Sequence, residues 1–284
     1  MQPLDWVHAL LNLVGLLLWL MWREDSLRAS RRPVGTKLLS TLKRAGGDSV
    51  SRWIYLGSLA GLLLVRAFGY WQMGRGVRWT PLINLCVVVV PFRSDLFARM
   101  LVFSTASLAV FVAEFYFWLL LLSAANRRVL DTDPVQNHIR AHLGRVDRWP
   151  GFLKLLLPFL LAGLLWLGVG PLMAKLGYQL PAKSLAHAAQ QAVLVGLSAF
   201  LVWKYLIAGI LLLHLVSSYV YFGQAPAWTF LNVTARNLLR PIAWMRFLQF
   251  GKIDLTPLAG AALVLGLGEA GARGLPTLYR QLPL

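Results

Sequence analysis

Six long runs of apolar residues leave this chain few ways to fold: Trp6–Trp22, Trp53–Trp71, Leu96–Ser123, Phe152–Ala174, a stretch within Ala192–Phe222, and Leu255–Ala272. A helix of about 20 such residues crosses hydrocarbon, where every backbone amide and carbonyl must be paired inside its own segment. The expected fold is therefore all-α, a polytopic helical membrane protein of about six spans. Charged residues are 14% of the chain, against about a quarter in soluble domains, and hydrophobic ones are 58%, so a bilayer is the natural solvent. Trp6, Trp22, Trp53, Tyr70, Trp71, Tyr219 and Tyr221 mark run ends, as an interfacial aromatic belt requires. The first run has no cation before it and no small-residue cleavage site after it, and reads as a retained span.

The cations alternate between connectors. Eight Lys and Arg fall between Arg23 and Arg52, five between Arg127 and Arg148, and four between Arg236 and Lys252; the intervening connectors hold three and two. The positive-inside rule puts the richer set in the cytoplasm and both termini on the opposite side, in a multi-pass protein expected in a bacterial inner membrane. A net charge of +17 would suit nucleic acid, but cations clustered beside apolar spans are explained first by topology and anionic lipid head groups. The expected partners are thus the lipid bilayer, anionic head groups and other membrane proteins or a second copy, with no nucleic acid. A single Cys86 excludes an intrachain disulfide.

The most informative connector runs from Trp228 to Pro257. It carries Arg236, Arg240, Arg246 and Lys252 and is interrupted by Pro241 and Gly251. Asn232, Arg236 and Arg240 share one helical face, with Leu231, Leu238, Ile242 and Met245 opposite, which predicts an amphipathic helix at the interface. Pro241 predicts a kink between two short helical pieces. Asp254, with Pro257 three residues on, predicts the cap or first turn of the last span. Two further connectors carry helical stripes: Leu38, Leu39 and Leu42 in one, and Val135, Ile139, Leu143 and Val146 in the other, where Asp133 is the expected N-cap and Pro134 the first helical residue.

An internal repeat is also visible. Trp79-Thr-Pro-Leu-Ile-Asn parallels Trp228-Thr-Phe-Leu-Asn, Tyr70 parallels Tyr219, Pro91 parallels Pro241, and Asp95-Leu parallels Asp254-Leu. This divides the chain into a first span with its basic connector (1–52), a first unit (53–126), a basic helix with an extra span (127–183) and a second unit (184–284). The charge pattern predicts that the two units are inverted; Pro158 and the Gly168-Val-Gly-Pro171 break leave open a split or re-entrant 152–174 and a parallel arrangement.

Leu239, Arg240, Pro241 and Ile242, followed by Gly251, Ile253, Asp254, Leu255, Thr256 and Pro257, resemble the signature of the YggT family of small integral membrane proteins, in which an Arg-Pro pair precedes a Gly, an Ile/Leu-Asp-Leu, a Ser or Thr and a Pro. Ala243 and Trp244 stand where members often carry another Arg. The resemblance implies two YggT-like units and a scaffold, subunit or assembly factor, since plastid relatives are associated with haem attachment to a b-type cytochrome and with membrane or nucleoid organisation. Arg236, Arg240, Pro241, Gly251, Asp254, Thr256 and Pro257 are the residues expected to meet a partner or lipid. Bacterial relatives, associated with osmotic stress and potassium supply, imply the alternative of an ion or osmolyte permeation pathway.

The remaining polar groups are few. Arg66, Glu114, Lys204 and Glu269 lie within spans, where an unpaired charge costs about 2.5–3.5 kcal/mol on insertion scales. Lys204 is expected to pair with Glu114 or Glu269, and Arg66 to snorkel. His138 and His142 have the spacing of a metal-ligand pair without the further ligands that a zinc site needs, so no metal is expected and the pair is read as solvated. His8 and His214 raise haem handling as a further alternative, but lone histidines in spans are more often packing residues, and no cofactor is expected. No phosphate loop, nucleophile elbow or zinc-protease motif is present, so a non-catalytic role is expected.

Overall fold

A computed structural model describes residues 3–31, 47–77, 79–127, 133–175, 177, 181–220, 223, 225–242, 249–250 and 253–282. The protein is a polytopic helical protein. Helices α1 (Pro3–Arg31) and α2 (Gly47–Val77) are followed by a hairpin of β1 (Leu82–Asn84) and β2 (Val89–Pro91), then α3 (Phe97–Ala125), a short α4 (Pro134–Leu143), α5 (Gly151–Lys175), α6 (Leu185–Ser198), α7 (Trp203–Tyr219), α8 (Pro226–Leu239), a second hairpin of β3 (Gln249–Phe250) and β4 (Ile253–Asp254), and α9 (Thr256–Arg280). Among the described residues, six helical segments are long and apolar enough to cross a bilayer: Asp5–Glu24, Trp53–Gly76, Phe97–Ala125, Gly151–Lys175, Leu185–Tyr219 and Thr256–Arg280. Their outward faces carry large apolar side chains such as Val65, Leu164, Leu165 and Leu267, each at least 64% exposed, as suits contact with a bilayer.

The chain forms two compact units. The first comprises residues 1–83 and 91–114, the second residues 84–90 and 115–284. Aromatic rings fill the core of the first. Phe103, on α3, is 2% exposed and meets His8, Tyr70, Trp79 and Phe92 with ring centroids 5.3–6.4 Å apart.

In the second unit, α5 and α6 pack so closely that a Cβ at Gly196 would lie 2.7 Å from the Phe159 carbonyl oxygen, and one at Gly163 3.0 Å from that of Ala192. Small residues permit this approach where lipid tails supply no hydrophobic drive for association. Helix α5 runs unbroken through Pro158 and Pro171, so the split that the sequence leaves open within 152–174 is not found. The fifth span also departs from its apolar run. It begins at Leu185, where Ser184 caps it by accepting the His187 amide, and it tightens into a 3-10 turn at Ala199–Val202 before α7. Two tryptophans pin that turn to α3: the Trp203 indole donates to the Phe117 carbonyl at 2.9 Å, and the Trp118 indole to the Val202 carbonyl at 3.0 Å.

The tip of the first hairpin, residues 84–90, belongs to the second unit. Val87 is buried against Trp166, Ala192 and Val195, and Ser198 donates to the Leu85 carbonyl at 3.3 Å. The Asn84 side chain accepts the Cys86 amide at 2.7 Å, which closes the turn with Cys86 at a φ of 66°. Burial pushes the Cys86 thiol above its ordinary pKa.

The glycine contacts yield a test. Gly196→Val is expected to destabilise the protein by about 1–3 kcal/mol through overpacking, read as a lower thermal midpoint in detergent. Gly57→Ala, where an added Cβ meets nothing within 4 Å, is expected to leave the midpoint unchanged or to raise it.

Candidate functional site

The connector after α7 is held in place by side chains. Helix α8 opens with Pro226 at its first position and buries Phe230, Thr234 and Ala235, the last two with 0% exposure. Asn126, one residue past the end of α3 and also 0% exposed, donates to Thr234 Oγ1 at 2.6 Å and accepts from Asn237 Nδ2 at 3.0 Å. On another face of α8, the Asn232 Oδ1 accepts the Ser217 hydroxyl at 2.7 Å and lies 2.7 Å from His214 Nδ1. Asn232 therefore bonds to α7 rather than sharing an exposed face with Arg236 and Arg240; both arginines are exposed.

Helix α8 ends at Leu239, and Arg240–Ile242 continue as a single 3-10 turn, so Pro241 does terminate the regular helix. The expected second helical piece falls largely on residues 243–248, which, like Gly251 and Lys252, lie outside the described residues. The chain re-enters as β3 paired with β4, Gln249 opposite Asp254 and Phe250 opposite Ile253. The extended segment was missed by helical-periodicity reasoning. Its signal was a Gly-containing two-residue link, Gly251-Lys252, between Phe250 and Ile253. Asp254 Oδ1 accepts the Thr256 amide at 2.9 Å, so the carboxylate satisfies an early donor of α9, while Thr256 and Pro257 are buried. In the parallel position of the repeat, Asp95 instead pairs with Arg99 at 2.9 Å. The repeat is conformationally uneven as well: Trp228–Asn232 is helical, whereas Leu82–Asn84 is strand.

Arg240 borders a cavity of about 390 Å³ at the ends of α3, α5 and α8. Among the described residues, Arg127, Asn237, Gly151 and Phe152 line it with Arg240, together with two alanines and Pro150 and with no carboxylate. The first turn-closing bonds of α5 run from the Leu153 and Lys154 amides to the Pro150 carbonyl, at 3.0 and 3.2 Å. The amides of Gly151 and Phe152 thus precede the intrahelical ladder at the positive end of the helix. Arg236 does not line this cavity. Arg127 was missed in the sequence, where it counted only as one cation of a connector; its signal was its place beside Asn126, a polar residue directly following a span.

Helix α4 begins as expected: Asp133 Oδ1 accepts the Val135 and Gln136 amides at 2.8 and 3.1 Å, with Pro134 at the first position. Its apolar stripe is covered by protein, because Ile139 packs with Leu119 and Phe230. The histidine pair is solvated at one member only: His138 is exposed, but His142 is buried. His142 is 3% exposed and its Nε2 lies 3.1 Å from that of His138. Among the described residues no group of three potential ligands gathers.

The intramembrane charges are partnered, with one exception. Arg66 does not snorkel. It is 3% exposed, and its guanidinium donates to Asn12 Oδ1 at 2.7 Å and to His8 Nδ1 at 3.3 Å. The Tyr70 hydroxyl, 2.9 Å away, reaches the same nitrogen, which leaves His8 Nε2 as the donor to Ser107 Oγ at 2.8 Å. His8 and His214 are thus both engaged by side chains. Lys204 pairs with Glu269 at 3.6 Å, and Glu269 also with Arg273 at 2.9 Å. Gly268 makes room for this lysine, since a Cβ there would lie 2.7 Å from Lys204 Cδ. Glu114 is half-buried and has no hydrogen-bonded or ion-paired partner among the described residues. Sequence reasoning missed Lys154, 1% exposed, whose Nζ donates to Ser123 Oγ at 2.7 Å and to Asp147 Oδ1 at 3.3 Å, with Ser123 also bonded to Asp147.

These features define a helical multi-pass membrane protein with a cation-lined cavity at the end of three helices. No protein-family model, curated protein or solved structure matches the chain.

The buried ion pair yields a prediction. Lys154→Ala leaves the Asp147 carboxylate with the Ser123 hydroxyl and Arg140 at 3.5 Å, and is expected to cost about 1.5–3 kcal/mol, whereas the double variant Lys154→Met with Asp147→Leu is expected to recover part of that loss. Thermal unfolding of the detergent-solubilised variants reads both.

Proposed function

We propose that this protein is a non-catalytic scaffold, subunit or assembly factor of the YggT type, resident in a bacterial inner membrane, that engages other membrane proteins and anionic head groups through the connector between α7 and α9. The observation that carries the reading is the Asn237–Asn126–Thr234 chain of hydrogen bonds. It holds the end of α8 against α3 and presents Arg240 at a defined place in a connector that could otherwise drift. Pro241 ends the helix there, and Asp254 starts the next span, so the motif residues that can be placed shape the connector and offer exposed cations beside it. The resemblance in Arg240-Pro241 and Ile253–Pro257 supports the same role.

The intramembrane charges favour this reading over permeation. Arg66, Lys154 and Lys204 each have a local partner, and the Lys204–Glu269 pair lies on a helix face where Glu269 is 52% exposed. Such pairing stabilises a span without requiring a path through it.

The tagged protein, purified from its native membrane in mild detergent, is expected to bring a stoichiometric partner that is lost on Arg240→Ala while the thermal midpoint is kept. A homo-oligomer without a partner, together with potassium flux in proteoliposomes that Glu269→Gln abolishes, would establish the permeation pathway instead.

A further inference from the structure

We infer that the cavity at the ends of α3, α5 and α8 is a phosphate site for one anionic phospholipid head group, with Arg127 and Arg240 as its cations. The charge balance carries the argument. Two arginines line the cavity with no Asp or Glu among its other described residues, so the described lining carries an excess of positive charge that an anion neutralises. A guanidinium presents planar, paired donors that match phosphate oxygens. Asn237 completes the donor set; because its amide nitrogen is engaged by Asn126 at 3.0 Å, its position is set before any ligand arrives. The Gly151 and Phe152 backbone at the start of α5 adds a third source of positive potential, as helix N-termini do for phosphate.

Depth selects the source of the phosphate. Arg127 stands two residues beyond the last residue of the α3 span, Gly151 is the first residue of the α5 span, and Arg240 follows α8 in a cation-rich connector. All three therefore lie where a span meets the interface, at the level of lipid phosphates. Trp149 and Phe152 beside them are 42% and 68% exposed, the placement of interfacial aromatics whose rings rest on acyl chains. A head group seated here leaves its acyl chains free to run along the apolar surface of the spans.

This inference rests on reading the connector as a head-group contact, but it requires no protein partner. The test uses the full chain in detergent micelles, titrated with short-chain phosphatidylglycerol, with phosphatidylcholine of equal chain length, and with inorganic phosphate, and followed by native mass spectrometry and calorimetry. Phosphatidylglycerol is expected to occupy one saturable site, while phosphatidylcholine, whose choline cation opposes the arginines, is expected to bind at least tenfold more weakly. Arg127→Gln and Arg240→Gln are each expected to weaken phosphatidylglycerol about tenfold, the loss of one charged hydrogen-bonding group. Arg236→Gln, whose cation lies off the cavity, is expected to have no effect.

Equal binding of the two lipids, undiminished binding by the Arg127→Gln/Arg240→Gln double variant, or an Arg236→Gln effect as large as that of Arg240→Gln would overturn the assignment. Inorganic phosphate binding as tightly as the lipid would assign the site to free phosphate and overturn the lipid. Lipid binding lost on Arg127→Gln in a protein with no co-purifying partner supports the site and removes the scaffold; a partner retained beside a lipid-indifferent cavity does the reverse.

Discussion

Hydrocarbon does not solvate charge, and much of the organisation inside these helices follows from that. Lys154 is as buried as any apolar core residue, yet it is paired with Asp147 and bonded to Ser123. Arg66 is enclosed by Asn12, His8 and the Tyr70 ring, whose face lies 5.4 Å from the guanidinium carbon. In a medium of low dielectric an isolated cation would be expelled toward water. The helices must therefore hold a particular rotation to bring its partners within reach. Buried polar contacts thus specify register, while the surrounding leucines and phenylalanines supply contact without direction.

The cationic end of the second unit uses the same principle at a boundary. Asn126 is removed from solvent and commits both ends of its amide to α8, which fixes the orientation of that short helix. The connector gains rigidity from three uncharged side chains, and its arginines need form no internal ion pair to be positioned. The spans carry the opposite arrangement, in which cations themselves hold helices together. A protein divided this way presents charge outward only where lipid phosphates or a partner can meet it.

The spans were legible because hydropathy is a property of composition: each apolar run became a helix, and Asp133-Pro134 and Asp254 stand at helix starts. Features that depend on a distant neighbour were not legible. Nothing in the local pattern separates Asn232, bonded to α7, from Arg236, exposed one turn later on the same helix. Lys154 reads as an ordinary cation near the start of a span until Asp147 and Ser123 are found beside it. Pro158 and Pro171 suggested a broken helix, but α5 continues through both, its face packed against α6 around Gly163 and Gly196. The two short hairpins escaped because apolar strands of two or three residues carry too little periodicity to stand out among helices.

The contact between Gly268 and Lys204 has a consequence for how this chain can vary. The lysine stem occupies the space that any side chain at position 268 would need. A larger residue at 268 is then compatible only with a shorter one at 204, and losing the lysine in turn removes from Glu269 one of its two cations, leaving it Arg273. The two positions form one heritable unit: related sequences should change them together, in an order that passes through the small residue first.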